Sequence, residues 1–240
     1  MKILVFNGAL GVKHLLELVL SSAKENNVDK IICLGDLIGI GKENLECINI
    51  ARKNEIQLIG GTFEAILTEQ LNKREIDESI LEIINNIKTN IAKQDLLWLS
   101  DLTRLTILEN LLFMYGNYIN RYTLFTRENE FTETDLITRK KHPMLDGIII
   151  GSANQQNFYN GKRLIKVRTQ REYSYKDIDN AKFMATPGRL FSMLRGGIIK
   201  STWIIIDTEN KTVDFNTKKN QLENELDNIN YYDLESVFNA

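Results

Sequence analysis

Ile3, Leu4, Val5 and Phe6 follow one another with no polar residue between them, as in a strand buried on both faces. Asn7-Gly8 then signals a turn, and from Val12 to Asn26 the apolar positions recur at helical spacing: Leu15, Leu16, Val19, Leu20 and Ala23. The pattern repeats. "DKIICLGD" predicts a second strand, "KENLECINIARKN" a second helix with Leu45, Ile48 and Ile50 on its inner side, and "IQLIGG" a third strand. Such a β-α-β-α-β rhythm predicts a largely parallel sheet covered by helices. Ligand sites in these sheets gather at the carboxyl ends of the strands, here Asn7-Gly8, Gly35-Asp36 and Gly60-Gly61-Thr62.

Residues 63–100 are helical in pattern and charged on one side, with Ile80, Ile83, Ile84, Ile87 and Ile91 as an inner stripe. Strand-like runs return at "RLTIL", "NLLFMYG", "GIIIGS", "KRLIKVRT", "KFMATPG", "STWIIIDT" and "KTVDFNT", close together and without long helices between them. They predict a second, more antiparallel sheet packed on the first. Lys162, Arg163, Lys166, Arg168 and Arg171 crowd one hairpin-like stretch and are read as the solvated face of an edge strand, the competing reading being a basic patch. Residues 1–220 are expected to form one domain, and 221–240 an acidic tail with Leu222, Leu226, Ile229 and Leu234 spaced for a short helix.

Composition narrows the function. A formal charge of -2 over 240 residues speaks against broad attraction to nucleic acid or anionic membrane. Cys33 and Cys47 make no disulfide framework and are expected as buried thiols in a reducing compartment. The amino-terminal apolar run is too short for a signal peptide and no window approaches the ~18 apolar residues of a membrane span, so a cytoplasmic location is expected. Only two histidines, His14 and His142, are present, so a cluster of imidazoles has almost nothing to draw on.

Four segments carry a resemblance. "DKIICLGDLIGIGKENLECI", "LLWLSDLTRLTILENLLFMYG", "MATPGRL" and "STWIIIDTENKTVDF" stand in the order and spacing of the calcineurin-like metallophosphoesterases. The chain is similar to their small bacterial and archaeal members of the YfcE and diadenosine tetraphosphatase-like groups, over nearly its whole length. The resemblance implies an α/β fold, a four-layer αββα sandwich of two mixed sheets flanked by helices, with a dinuclear metal site at one edge. In that family two cations such as Mn, Fe or Zn, ~3.5–4 Å apart, bridge the phosphate ester and a hydroxide.

Carried over position by position, the family's ligands are mostly missing. Gly8 and Leu10 stand where DxH would be, and the GD aspartate is kept as Asp36. GNHD has become Gly61, Thr62, Phe63 and Glu64, the histidine before glycine has become Tyr115, and GHxH has become Gly151, Ser152, Ala153 and Asn154. Leu10, Phe63 and Ala153 have no lone pair to donate, so no cofactor is expected. The pocket that remains would be lined by Asn7, Gly8, Leu10, Asp36, Thr62, Phe63, Glu64, Tyr115, Asn117, Ser152, Asn154 and Arg189. Three roles stand open for Asp36: accepting backbone N–H groups of a turn or helix, pairing with Arg189 in the vacated cationic space, or holding a single metal ion.

The expectation is therefore a catalytically inactive metallophosphoesterase-like protein, a pseudoenzyme that serves as a protein-binding scaffold or regulatory subunit, its partner another protein. The alternatives are a non-hydrolysing protein that binds a nucleotide or other phosphate-containing small ligand, and a metal-dependent phosphoesterase with a rewired site.

Overall fold

Alternation along single strands explains why the chain needs unbroken apolar runs. A computed structural model describes residues 1–71, 78–117, 127–176, 178, 182–192 and 198–221. In β1 (Lys2–Phe6), Ile3 and Val5 enter one apolar cluster while Leu4 and Phe6 enter another on the opposite face. Helix α1 (Lys13–Glu25) leads to β2 (Lys30–Cys33), and α2 (Asn44–Lys53) leads to β3 (Gln57–Leu58). Both strand pairings, β1 with β2 and β2 with β3, are parallel, as the rhythm predicts.

The helical stretch expected over 63–100 is divided into α3 (Thr62–Leu67), α4 (Glu78–Asn90) and α5 (Lys93–Ser100), with Ile91 and Ala92 interrupting the last two. Ile80, Ile84 and Ile87 are core residues, and Ile83 and Ile91 pack against that core half-buried. There follow β4 (Leu105–Leu108), β5 (Leu111–Met114), α6 (Glu128–Lys141), β6 (Gly147–Ile150), β7 (Gln156–Tyr159) and β8 (Leu164–Lys166). The last elements are β9 (Arg171–Ser174), β10 (Phe183–Pro187), β11 (Ile198–Asp207) and β12 (Thr212–Gln221).

Among the described residues the strands form two six-stranded sheets, β3-β2-β1-β11-β12-β9 and β4-β5-β6-β10-β7-β8, each with parallel and antiparallel neighbours. One core lies between the sheets, built from Ile3, Val5, Phe113, Ile149, Phe183, Ile204 and Phe215 among others. A second packs α1 to α5 on the outer face of the first sheet, and a third sets Phe131 of α6 against Leu112, Met114, Ile148 and Ile150 of the second sheet. The order of layers is helix, sheet, sheet, helix, as expected.

Two expectations are corrected. The β11–β12 hairpin does not belong to the second sheet: β11 runs antiparallel to β1, with Ile3 opposite Ile206, so the closing hairpin extends the first sheet. Ile204 and Ile206 face the same core as Ile3 and Val5, and nothing in an apolar run says which strand it will join. A long helix, α6, also stands where none was expected. Its buried positions are Phe131, Thr134, Asp135 and Thr138, three of them polar, so it carries no apolar stripe to read. The basic stretch 161–171 falls on β8 and the start of β9, each at the edge of its sheet. Cys33 and Cys47 are free and buried. No described helix is long and apolar enough to cross a membrane. The tail expected from 221 lies outside the described residues apart from Gln221, which ends β12.

Gly147 shows how closely the inter-sheet core is filled. A Cβ added there would lie 2.2 Å from the ring of Phe183, which is wholly buried and stacked on Tyr175. Gly147→Ala should cost about 1–3 kcal/mol of unfolding free energy by overpacking, read as a lower urea midpoint at unchanged slope. An unchanged midpoint would mean that the Phe183 ring moves freely in this layer.

Candidate functional site

The carboxyl ends of β1, β2, β3, β5, β6 and β10 meet at one place, and backbone bonds fasten their loops together. Gly8 N–H donates to Gly35 O at 3.0 Å, Leu10 N–H to Asp36 O at 2.9 Å, and Leu190 N–H to Asn7 O at 2.7 Å. From the second sheet, Ser152 N–H donates to Tyr115 O at 2.7 Å. Gly35 is required where it stands. Its φ is +106°, and a Cβ would lie 2.6 Å from the Tyr115 ring and 2.7 Å from Gly61 Cα. The next residue, Asp36, keeps a left-handed backbone at φ 53° although it has a side chain, a conformation that Asp tolerates better than most.

Its side chain explains why that strain persists. Asp36 Oδ2 accepts the Tyr115 hydroxyl at 2.6 Å, and Asp36 Oδ1 accepts the Phe63 N–H at 3.1 Å. Phe63 is the second residue of α3, whose N-cap is Gly61, a residue with no side chain to cap with. Asp36 thus supplies from another loop the acceptor that a capping Ser or Asp would normally give. Glu64, the third residue of α3, completes the arrangement. Glu64 Oε2 accepts the N–H groups of Gly61 and Asp36, both at 2.9 Å, and Oε1 accepts Ile38 N–H at 3.2 Å. Thr62 Oγ1 donates to the Tyr115 hydroxyl at 3.1 Å.

Both carboxylates are sealed in, Asp36 at 3% exposure and Glu64 at 1%. Burial is the first cause of a raised pKa in each. For Asp36 the Tyr115 hydroxyl, the Phe63 N–H and the Arg189 charge oppose the rise. Glu64 is pushed up to about 7, with the Asp36 charge adding to burial and three backbone N–H groups opposing it. Burial and the Asp36 charge also hold the Tyr115 phenol well above its usual range.

The structure brings together most of the residues singled out above. Asp36, Thr62, Phe63, Glu64 and Tyr115 form one hydrogen-bonded cluster, with Gly8 and Leu10 bonded to its backbone. Leu10 and Phe63 are buried apolar filler, and Leu10 packs over Gly39. Arg189 is half-buried, its stem beside Gly8, and its charge bears on Asp36. Asn7 and Ser152 are buried, Asn117 is half-buried two residues beyond Tyr115, and Asn154 is exposed on the loop after β6. Asn44 was not singled out and holds the loop following Asp36: its side chain bonds Gly39 N–H, Gly39 O and Gly41 O. Its signal is an Asn at the first position of a helix that follows Gly39-x-Gly41.

These residues do not fit a pair of divalent cations. Among the described residues no three His, Cys, Asp or Glu side chains come together. Asp36 and Glu64 turn their oxygens to protein donors, and the neighbouring Leu10, Phe63 and Ala153 have none to give. His14 is exposed on α1 and His142 ends α6, neither at a strand end.

No family model and no curated protein matches the sequence. Solved structures do match. A metallophosphoesterase from Sphaerobacter thermophilus is 17% identical with a TM-score of 0.67, covering 91% of this chain and 88% of its own. The hypothetical protein PH1004 from Pyrococcus horikoshii OT3 is 14% identical with a TM-score of 0.64, covering 98% and 94%. A candidate diadenosine tetraphosphatase is 13% identical with a TM-score of 0.53, covering 92% and 95%. The class so defined is one of fold: this chain has the metallophosphoesterase fold.

Because the folded state holds the Glu64 proton up to about pH 7, against 4.5 for an unperturbed glutamate, ionising it works against folding. Stability is fully present below the lower value and falls as pH rises toward the upper, by up to about 3 kcal/mol. Urea midpoints measured between those limits should decline in the wild type and decline less in Glu64→Gln. Equal slopes would place the linkage elsewhere. Tyr115→Phe removes the hydroxyl that satisfies Asp36 Oδ2 and should cost about 1–3 kcal/mol, read in the same titration.

Proposed function

We propose that this chain is a non-hydrolysing protein built on the metallophosphoesterase fold, a scaffold or regulatory subunit whose partner is another protein. One observation supports this above the rest. The two carboxylates at the strand ends are buried and committed to holding backbone N–H groups and a tyrosine, while Leu10 and Phe63 fill space beside them. A dinuclear hydrolase needs the reverse, carboxylate and imidazole donors turned toward a site that substrate can reach. On this reading the strand ends carry no hydrolytic chemistry and the fold serves through its surface.

A second reading draws on a different detail. Asn7 Oδ1 is buried without a hydrogen-bond partner among the described residues, and the Arg189 stem lies beside the next residue, Gly8. An open acceptor asks for a ligand hydroxyl or amine and the Arg189 guanidinium for an anion, which together support recognition of a nucleotide or similar phosphate compound without cleavage.

Metal analysis of protein purified without chelator, followed by assay on a generic phosphodiester with added Mn, separates these from hydrolysis. The proposal expects far less than one ion per chain and no turnover above buffer. Stoichiometric Mn, Fe or Zn, with turnover that Asp36→Asn abolishes, would establish a rewired phosphoesterase instead. Affinity capture with the full chain as bait should then return a partner in fixed ratio that survives Asp36→Asn. Loss of that partner in Asp36→Asn with folding intact would move the interface to the strand ends.

A further inference from the structure

Each sheet has two outer strands, and three of these four are guarded against pairing with a further strand. β3 is two residues long, β8 carries Lys166 and follows Lys162 and Arg163, and β9 carries Arg171 and Glu172. Short length and charge are the usual means by which a sheet edge avoids a neighbour. β4, the other outer strand of the second sheet, reads Leu105-Thr106-Ile107-Leu108, with no charge, proline or glycine. Leu105 is 39% exposed and Ile107 47%.

Hydrogen bonds on the far side of β5 show which way the β4 backbone points. Asp146 N–H donates to Asn110 O at 2.8 Å and Gly151 N–H to Met114 O at 2.9 Å, so Asn110, Met114 and Leu112 between them turn their backbone groups to β6. Leu111 and Phe113 therefore turn theirs to β4, where Leu108 and Thr106 stand opposite them. The N–H and C=O groups of Leu105 and Ile107 are left pointing out of the sheet. Among the described residues nothing pairs with them. The open stretch ends at Thr103, whose carbonyl accepts Gly60 N–H at 3.2 Å, and at the turn residues Glu109 and Asn110.

This stretch is complementary to itself. Two copies laid antiparallel about a two-fold axis at Thr106 set Leu105 of each opposite Ile107 of the other. Both residues point their backbone outward, so each such pair can exchange two N–H to O bonds. Leu105 and Ile107 also share one face of the sheet, so each pair joins two exposed apolar side chains. Arg104 and Glu109 flank the strand and are exposed, and antiparallel pairing sets the Arg104 end of one copy beside the Glu109 end of the other. A parallel arrangement would set like charges together. We propose that β4 is a dimer interface, through which two copies of this chain join edge to edge and continue the second sheet from one into the other. The proposal does not depend on the reading given for the strand-end cluster.

Sedimentation velocity of the full chain tests this. Between about 1 and 100 μM the wild type should pass from monomer to dimer, as fits a small interface. Ile107→Pro removes an outward N–H and no bond to β5, so it should fold and stay monomeric throughout. Arg104→Glu should weaken the dimer about tenfold, Glu109→Arg likewise, and the two reversals together should restore it. Thr106→Cys, set by the axis at about 4.5 Å from its copy between Cα atoms, should give a disulfide-linked dimer on mild oxidation. Arg104→Cys is more exposed but about 13 Å from its copy, and should not. If Ile107→Pro fails to fold by circular dichroism, the charge reversals and the cross-link carry the test. A wild type that stays monomeric to about 100 μM overturns the proposal and leaves the edge to a strand of another protein. So does a dimer that persists in a folded Ile107→Pro, or one that the single charge reversals leave unchanged. Cross-linking through Arg104→Cys and not Thr106→Cys overturns the antiparallel register.

Discussion

The Tyr115 hydroxyl reaches from the end of β5 to the Asp36 carboxylate at the end of β2, and much of the local geometry follows from that contact. It crosses from one sheet to the other at the point where their strand ends converge. Asp36 must hold a left-handed backbone to present its side chain there, and Gly35 and Gly61 must be bare for the loops to approach. The same carboxylate caps α3, and Glu64 of α3 in turn binds the Asp36 N–H. Each carboxylate therefore holds the loop that positions the other. Two buried carboxyl groups in contact with so many donors are costly to place and costlier to leave half-satisfied, which ties the cluster into one unit.

That unit gives Asp36 a structural task at the strand ends. In a dinuclear site the cations would draw the loops together by binding their side chains. Here the N–H groups of Asp36, Ile38, Gly61 and Phe63 are gathered by two carboxylates instead. Leu10, Phe63 and Tyr115 are buried beside the two carboxyl groups, so the strand ends are packed as an interior.

The layered fold was legible because the short apolar runs of β1, β6 and β11, rich in Ile and Val and bounded by turn signals, read as strands covered on both faces. The order of the glycines and of Asp36 along the chain added the expected sandwich. Strand partners were not legible: β11 joins β1 across some two hundred residues, and no local pattern records that. Helix α6 was invisible because Thr134, Asp135 and Thr138 are buried through polar contacts, with Asp135 accepting Lys182 N–H. At the site, Asp36 was found at once, and a capping role was one of the readings held open for it. That it would cap a helix 27 residues further on could not be read from spacing. Glu64 stood out only as a replaced ligand position, since the three N–H groups it collects belong to residues on two separate loops.

The account turns on Asp36 and Glu64 serving the backbone and not a metal, and ligand-linked stability tests this directly. A cation bound only by the folded chain raises the unfolding temperature, by an amount set by its concentration relative to its dissociation constant. Melting curves of the metal-free protein with and without millimolar-range Mn or Zn should superimpose, in the wild type as in Asp36→Asn. A rise in melting temperature with added metal in the wild type, absent from Asp36→Asn, would contradict the account.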